Sequence, residues 1–193
     1  MPTNAEKIRA RDEKVIAAAW RLIHAGGDRA LTLRSVAEEA GVAITSMIYT
    51  LPTLDVVRER ALEQVGASIR DRVEALSLPD EDGVERAMTW LCVVLPLDEE
   101  RRTECSVLQV VGSQALTQDL VVPVWREVDG TIRDVCARAL REVGVRGDVV
   151  ALDRVHALVD GLRGQLMNRG PERSPQWALT VLERELRRLA LHT

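Results

Sequence analysis

At 193 residues the chain can bury one large core or two modest ones, and 46% apolar against 29% charged residues excludes a disordered protein. Phe is absent and Tyr occurs once, while the helix formers Ala, Leu, Arg and Glu dominate, which turns the reading from aromatic-rich sheets to an all-α fold. The net charge is −4: residues 1–60 carry nine Lys/Arg against eight Asp/Glu, and residues 61–193 carry 17 against 22. Free-standing nucleic-acid-binding domains are often far more basic, so charge permits such a role without arguing for it. No apolar run is long enough to cross a membrane and no leader pattern opens the chain, so a cytoplasmic location is expected.

Taken in order, the first helix is predicted from about Asn4 to Ala25, with Ile16, Ala19, Trp20 and Ile23 at helical spacing. Lys7, Arg9, Arg11 and Lys14 near its start form either a basic arm for phosphate backbone or minor groove, or a solvated terminus. Next comes LTLRSVAEEAGVAITSMIYTLPTLDVV, Leu31 to Val57. Thr32 can cap a short helix whose inward face is Val36, Ala37 and Ala40. Gly41 supplies the left-handed residue that a helix end commonly needs. A second short helix, Ile44 to Thr50, is stopped by Pro52. Its stripe Ile44, Met47, Ile48 and Leu51 puts Met47 and Ile48 toward the core and leaves Ile44 ambiguous. Two helices about a glycine turn make a helix-turn-helix.

A long helix is predicted from Thr53 to Leu76, with Val57, Ala61, Val65, Ile69 and Val73 as its buried stripe. After the break Ser77 to Gly83, whose Asp80, Glu81 and Asp82 read as an acidic helix start rather than a metal cluster, a helix runs from Val84 to Leu95. Others follow from Asp98 to Ala115, from the Pro123 region to Val143, from Asp148 to Asn168 and from Ser174 to Leu191. Cys92, Cys105 and Cys136 lack C-x-x-C spacing and read as small core residues. Catalytic signatures such as G-x-S-x-G, G-x-x-x-x-G-K-[ST], H-E-x-x-H or E-x-x-H are absent, and Asp153-x-x-His156 is an isolated near approach. No enzyme, cofactor or metal site is read from the chain.

The helix-turn-helix resembles the N-terminal domain of TetR-family transcriptional regulators, whose pattern runs roughly T-x-R-x-V-A-x-x-A-G-V-S, then a recognition helix and F-P-x-K. Thr32, Arg34, Val36, Ala37, Ala40, Gly41, Val42 and Pro52 fall in register without gaps. VIAAAWRLIHAGG resembles the family's first helix, and Leu95 to Glu104 and Ala157 to Leu162 look like C-terminal segments of its BetI/AcrR-like branch. The chain departs from the pattern at Ala43, Ile48, Leu51 and Leu54, where the family usually has serine, tyrosine, phenylalanine and lysine. Three of those four usually hold phosphates, so the salt-dependent part of any DNA affinity is expected to be weak.

The resemblance implies a DNA-binding domain over 1–52 and a helical ligand-binding and dimerisation domain over 53–193. It implies Thr32 and Arg34 at phosphates, and Ala43, Ile44, Thr45, Ser46 and Tyr49 at the groove. No Lys or Arg lies between Arg34 and Arg58, so bidentate guanine reading from the second helix is not expected. An effector pocket is implied, with Met88, Trp90, Cys92, Leu108, Gln109, Trp125, His156, Asp160 and Met167 as candidate linings. Of these, His156 and Asp160 stand one turn apart and could share a hydrogen bond, as a satisfied core histidine would. Leu152, Val155, Val159, Leu162 and Leu166, with Trp177, Val181 and Leu186, are the expected dimer surface; intramolecular core is the alternative. Partners are then operator DNA, a small-molecule effector and a second copy of the chain, with no membrane. The expected function is a ligand-responsive regulator, in all expectation a repressor; the alternative is a helical sensor with weakened or lost DNA binding.

Overall fold

The computed structural model describes residues 3–80, 83–114 and 120–191, and among them every regular element is helical. In chain order these are α1 (Asn4–Gly26), a 3-10 turn (Asp28–Ala30), α2 (Leu33–Ala40), α3 (Ile44–Met47), α4 (Leu54–Glu74), α5 (Gly83–Cys92), α6 (Glu99–Gln114), α7 (Val121–Glu142), α8 (Val149–Arg169) and α9 (Gln176–Ala190). The all-α expectation is met. Glu81, Asp82 and Ala115, named in the sequence reading, lie outside the described residues.

The chain forms two compact units: Met1–Val65 with Ser106–Arg126, and Gly66–Cys105 with Glu127–Thr193. These differ from a division at 52/53, because α4, α6 and α7 are continuous helices that each contribute to both units.

In the first unit α1 starts at a capping box: Thr3 accepts from the Glu6 amide, and Glu6 reaches back to the Thr3 amide. The basic stretch is therefore helix rather than a loose arm. Val15, Ile16, Ala18, Ala19 and Ile23 are buried, and Trp20, half-buried, donates its indole N–H to the Ala61 carbonyl at 3.1 Å. Val57, Ala61 and Val65 of α4 are fully buried, as the four-residue stripe requires. Arg58 donates to Asp28 at 2.7 Å and Asp55 at 2.9 Å, tying α4 to the 3-10 turn. Burial pushes the Asp28 carboxyl up, but hydrogen bonds from Arg58 and Gln114 more than offset it and leave it below its ordinary value. Gly112 gives Trp125 room against α6, since a β-carbon there would come within 2.5 Å of the indole nitrogen.

In the second unit α9 packs on α5 and α8. Residues 93–95 are turn, so α5 ends three residues before the sequence reading placed its stop. Pro123 sits in the first turn of α7, where a missing N–H costs nothing. Cys105 and Cys136 are buried and Cys92 is half-buried, all three as free thiols. Burial raises every one of them, Cys136 to about 12, so these thiols are inert core residues as expected.

The strongest polar tie in this unit is the pair Arg72–Glu104, two parallel bonds of 2.7 and 2.6 Å with the Glu104 side chain 4% exposed. Removing one member strands the other in low dielectric. Glu104→Ala should lower unfolding free energy by about 3 kcal/mol, reduced somewhat by the partial exposure of Arg72. Urea titration followed by circular dichroism checks it, and an effect below about 1 kcal/mol would show the pair to be dispensable.

Candidate functional site

The helix-turn-helix is local chemistry at every joint. Thr32 caps α2 by accepting from the Ser35 amide at 3.0 Å, and Ser35 returns the bond by accepting from the Thr32 amide at 2.9 Å. Val36 and Ala37 then face inward. Gly41 ends the helix with φ of 66°, a left-handed conformation that any β-carbon would strain. Its amide returns to Ala37 and Glu38, and the Val42 amide to Ala37, so two of the four end carbonyls of α2 are met.

The second helix is shorter than the sequence reading placed it. It runs Ile44–Met47 and gives way to turn through Thr50. Ala43 caps it without a side-chain bond, the consequence of alanine at a serine position. Met47 is fully buried and Leu51 is 2% exposed, but Ile48 is 42% exposed. The expectation that Ile48 faces the core is thus corrected: it stands one helical turn from Ile44, its amide bonded to the Ile44 carbonyl, and shares the outward face, while Met47 and Leu51 share the inward one. Ile44 resolves the same way, also at 42%. Tyr49 is 81% exposed, and Thr45 and Ser46 are exposed beside it.

Thr32, Arg34, Ala43, Ile44, Thr45, Ser46 and Tyr49 are all exposed within the first unit, where α2 packs on α3. Arg34 pairs with Glu38 at 2.8 Å on an open helix face, and that carboxylate holds its guanidinium more firmly protonated.

Sequence reasoning missed the role of Arg11. From α1 its guanidinium donates to Ser46 Oγ at 3.0 Å and to Thr50 Oγ1 at 2.5 Å, while holding Asp12 at 2.8 Å. Thr50 Oγ1 in turn donates to Asp12 at 2.9 Å. A cation from α1 therefore stands against α3, which has none of its own. No local signal reveals it, since Ser46 is 35 residues away.

The nine pocket candidates do not fall in one compact unit: Leu108, Gln109 and Trp125 belong to the first, and Met88, Trp90, Cys92, His156, Asp160 and Met167 to the second. Trp90 is 9% exposed, donates to Glu142 at 3.3 Å, and lies under the Arg138 guanidinium. Met88, Cys92 and Met167 are half-buried. His156 and Asp160 do not share a hydrogen bond, since their nearest approach is 3.9 Å. A pocket of about 230 Å³ does open in the second unit, floored by Leu140, Val145 and Leu152 and edged by Arg141 and Arg146. None of the nine lines it.

The expected dimer residues need correction too. Val155, Val159, Leu162, Leu166 and Leu186 are each no more than 4% exposed in a single chain, so they are core. Leu152 and Trp177 are half-buried and Val181 is exposed. The exposed faces are instead Val150, Ala157 and Gly161 on α8, and Val181 on α9 with Leu191 just beyond it.

The family model described as the C-terminal part of BetI-type transcriptional repressors matches residues 83–191. The HTH-type transcriptional regulator PksA of Bacillus subtilis (strain 168) is 25% identical over 157 residues, 79% of this chain and 76% of that protein. A transcriptional regulator from Rhodococcus sp. Rha1 superposes with a TM-score of 0.83 at 22% identity, covering 94% of this chain and 96% of its own. The multidrug binding protein EbrR, complexed with imidazole, superposes with a TM-score of 0.63 at 28% identity, covering 91% and 94%.

Arg11 is expected to brace α3. Arg11→Ala should cost about 1–2 kcal/mol by removing the donor to Ser46 and Thr50 and leaving Asp12 with the Thr50 hydroxyl alone. Arg11→Lys should recover only part, because an ammonium's donors sit on one nitrogen and cannot span the acceptors met by Nε, Nη1 and Nη2 of the guanidinium fork. Thermal or urea unfolding of both variants decides it, and equal stability of all three proteins would show the brace to be idle.

Proposed function

The chain belongs to the TetR family of transcriptional regulators, with a BetI-type C-terminal region, and we propose that it is a homodimeric repressor released from operator DNA by a small-molecule effector. The observation that supports the DNA-binding part is the exposure of Thr45, Ser46 and Tyr49 on α3 and its following turn, with Thr32 and Arg34 also exposed on α2 and its cap. Hydroxyls there can bond base edges or phosphates, and Ile44 and Ile48 offer apolar contact to thymine methyls. Arg11 braces this helix through Ser46 and Thr50, its charge balanced by Asp12. Such a surface reads a site through hydroxyls and shape more than through guanine.

A homodimer is supported by the exposed α8 and α9 faces. Gly161 meets no atom within 4 Å of where a β-carbon would stand, so a partner helix has room to approach closely there. Two-fold pairing would set two α3 helices in successive major grooves, roughly 34 Å apart. The effector part is supported by a relative, EbrR, found with imidazole and with proflavin. An effector that prefers the non-binding arrangement by a few kcal/mol suffices to release DNA. Regulators of this family are not enzymes, in keeping with the absence of catalytic motifs. Among the described residues no helix is long and apolar enough to cross a membrane.

A second reading, a sensor with weakened DNA binding, is favoured by Ala43 lacking a cap bond and Arg34 being held by Glu38. Fluorescence anisotropy against tiled upstream DNA at several salt concentrations separates the two. Tight binding to one near-palindromic tile supports the repressor; weak binding to every tile that vanishes with salt supports the sensor.

On the bound tile, Tyr49→Ala should weaken affinity by about 1–2 kcal/mol, roughly tenfold, without changing thermal stability, because its ring is open to solvent. Unchanged affinity would move the reading surface elsewhere. Gly161→Glu should convert the dimer to monomer in sedimentation velocity while leaving helicity intact; a persisting dimer would refute the assigned face.

A further inference from the structure

Three potential ligands on two helices of the second unit converge on one point. His156 and Asp160 stand one turn apart on α8, and Asp129 meets them from α7. His156 Nε2 lies 3.4 Å from Asp129 Oδ1 and 3.9 Å from Asp160 Oδ2. One ligand atom from each residue lies within 4.8 Å of the other two.

The imidazole nitrogen is the informative atom. It is buried and has no hydrogen-bond partner. A buried polar atom left in that state costs about 1–3 kcal/mol, and native proteins keep few of them. Both carboxylates are near it, yet beyond the usual 2.7–3.2 Å of a hydrogen bond from nitrogen. Donors bound at about 2.0–2.2 Å around a tetrahedral metal stand roughly 3.3–3.6 Å from one another. The observed spacings approach that pattern and need only small side-chain rotations to reach it.

Neighbouring groups orient the donors. Arg163 donates to Asp160 Oδ1 at 3.1 Å, leaving Oδ2 turned to His156. Outer partners of this kind hold ligating carboxylates at metal sites. Arg133, one turn beyond Asp129, is engaged by Asp153 at 2.6 Å and does not neutralise the site. Exposure of 33% at Asp129 and 49% at Asp160 leaves a path for entry and room for water ligands.

We propose that Asp129, His156 and Asp160 bind one divalent first-row transition-metal cation, with water completing its shell. An imidazole with carboxylates suits zinc, nickel, cobalt or manganese, whereas magnesium and calcium select oxygen alone. The bound ion would satisfy His156 Nε2, balance the Asp129 carboxylate and clip α7 to α8.

The test uses the untagged full-length protein stripped with a chelator, titrated with Zn²⁺ in a calorimeter and with Co²⁺ by visible absorption. One saturable equivalent per chain is expected, with a cobalt d–d band and a thermal midpoint raised by zinc. Asp129→Asn, Asp160→Asn and His156→Ala should each weaken binding by more than the 10- to 100-fold that loss of an outer partner costs. The two carboxylate positions are partly open, so those variants keep the fold, as a circular dichroism melt will verify. Lack of a saturable equivalent would overturn the proposal. Equal affinity of wild type and Asp129→Asn would overturn it as well.

Discussion

A four-residue helix cannot sustain itself in water, so everything proposed for the reading surface depends on what fixes α3 from outside. Three constraints do so. Gly41, left-handed at φ of 66°, sets the exit from α2. Met47 and Leu51 anchor the underside in the core of the first unit. Arg11 then ties Ser46 and Thr50 to α1. The glycine sets direction, the apolar pair sets depth, and the guanidinium sets rotation. Exposure of Ile44, Ile48 and Tyr49 is the geometric result of those three together.

The second unit is held differently, through charge placed inside an apolar helical core. Glu104 is nearly inaccessible and survives there because Arg72 meets it with two bonds. Arg102 donates to the carbonyls of Leu166 and Met167, binding α6 to the end of α8. Glu142 accepts from Arg86 and Trp90, and the Arg86 hydrogen bond holds its carboxyl below the ordinary range. The stability that this pair contributes is complete above the unfolded carboxylate value of about 4.5 and drains as pH falls through the lower folded one. Paired arginines thus join helices where a purely apolar contact would specify neither register nor rotation.

Much of the fold was legible because its boundaries are written in single residues. Thr32, Gly41, Pro52 and Pro96 each act on the backbone beside them, and the helices end near them. The four-residue stripe of α4 translated directly into burial. What failed was reading one apolar stripe as one face. Of Ile44, Met47, Ile48 and Leu51, the pair Met47 and Leu51 turns inward and the pair Ile44 and Ile48 outward. Groups that meet across helices were illegible for another reason. Arg11 with Ser46, and Asp129 with His156, are brought together by packing, which leaves no spacing to read.

The α8 and α9 faces show why a buried stripe and an interface look alike in sequence. Both appear as apolar residues three and four apart. In α8 the larger ones, Val155, Val159, Leu162 and Leu166, are consumed within one chain. The opposite face keeps Ala157 and Gly161 in the open, where large side chains would hold a partner backbone away. A surface built for self-association need not be the most hydrophobic stripe of a helix. The proposed dimer face is the one that remains after the monomer has closed its core, where small residues would let a second copy approach.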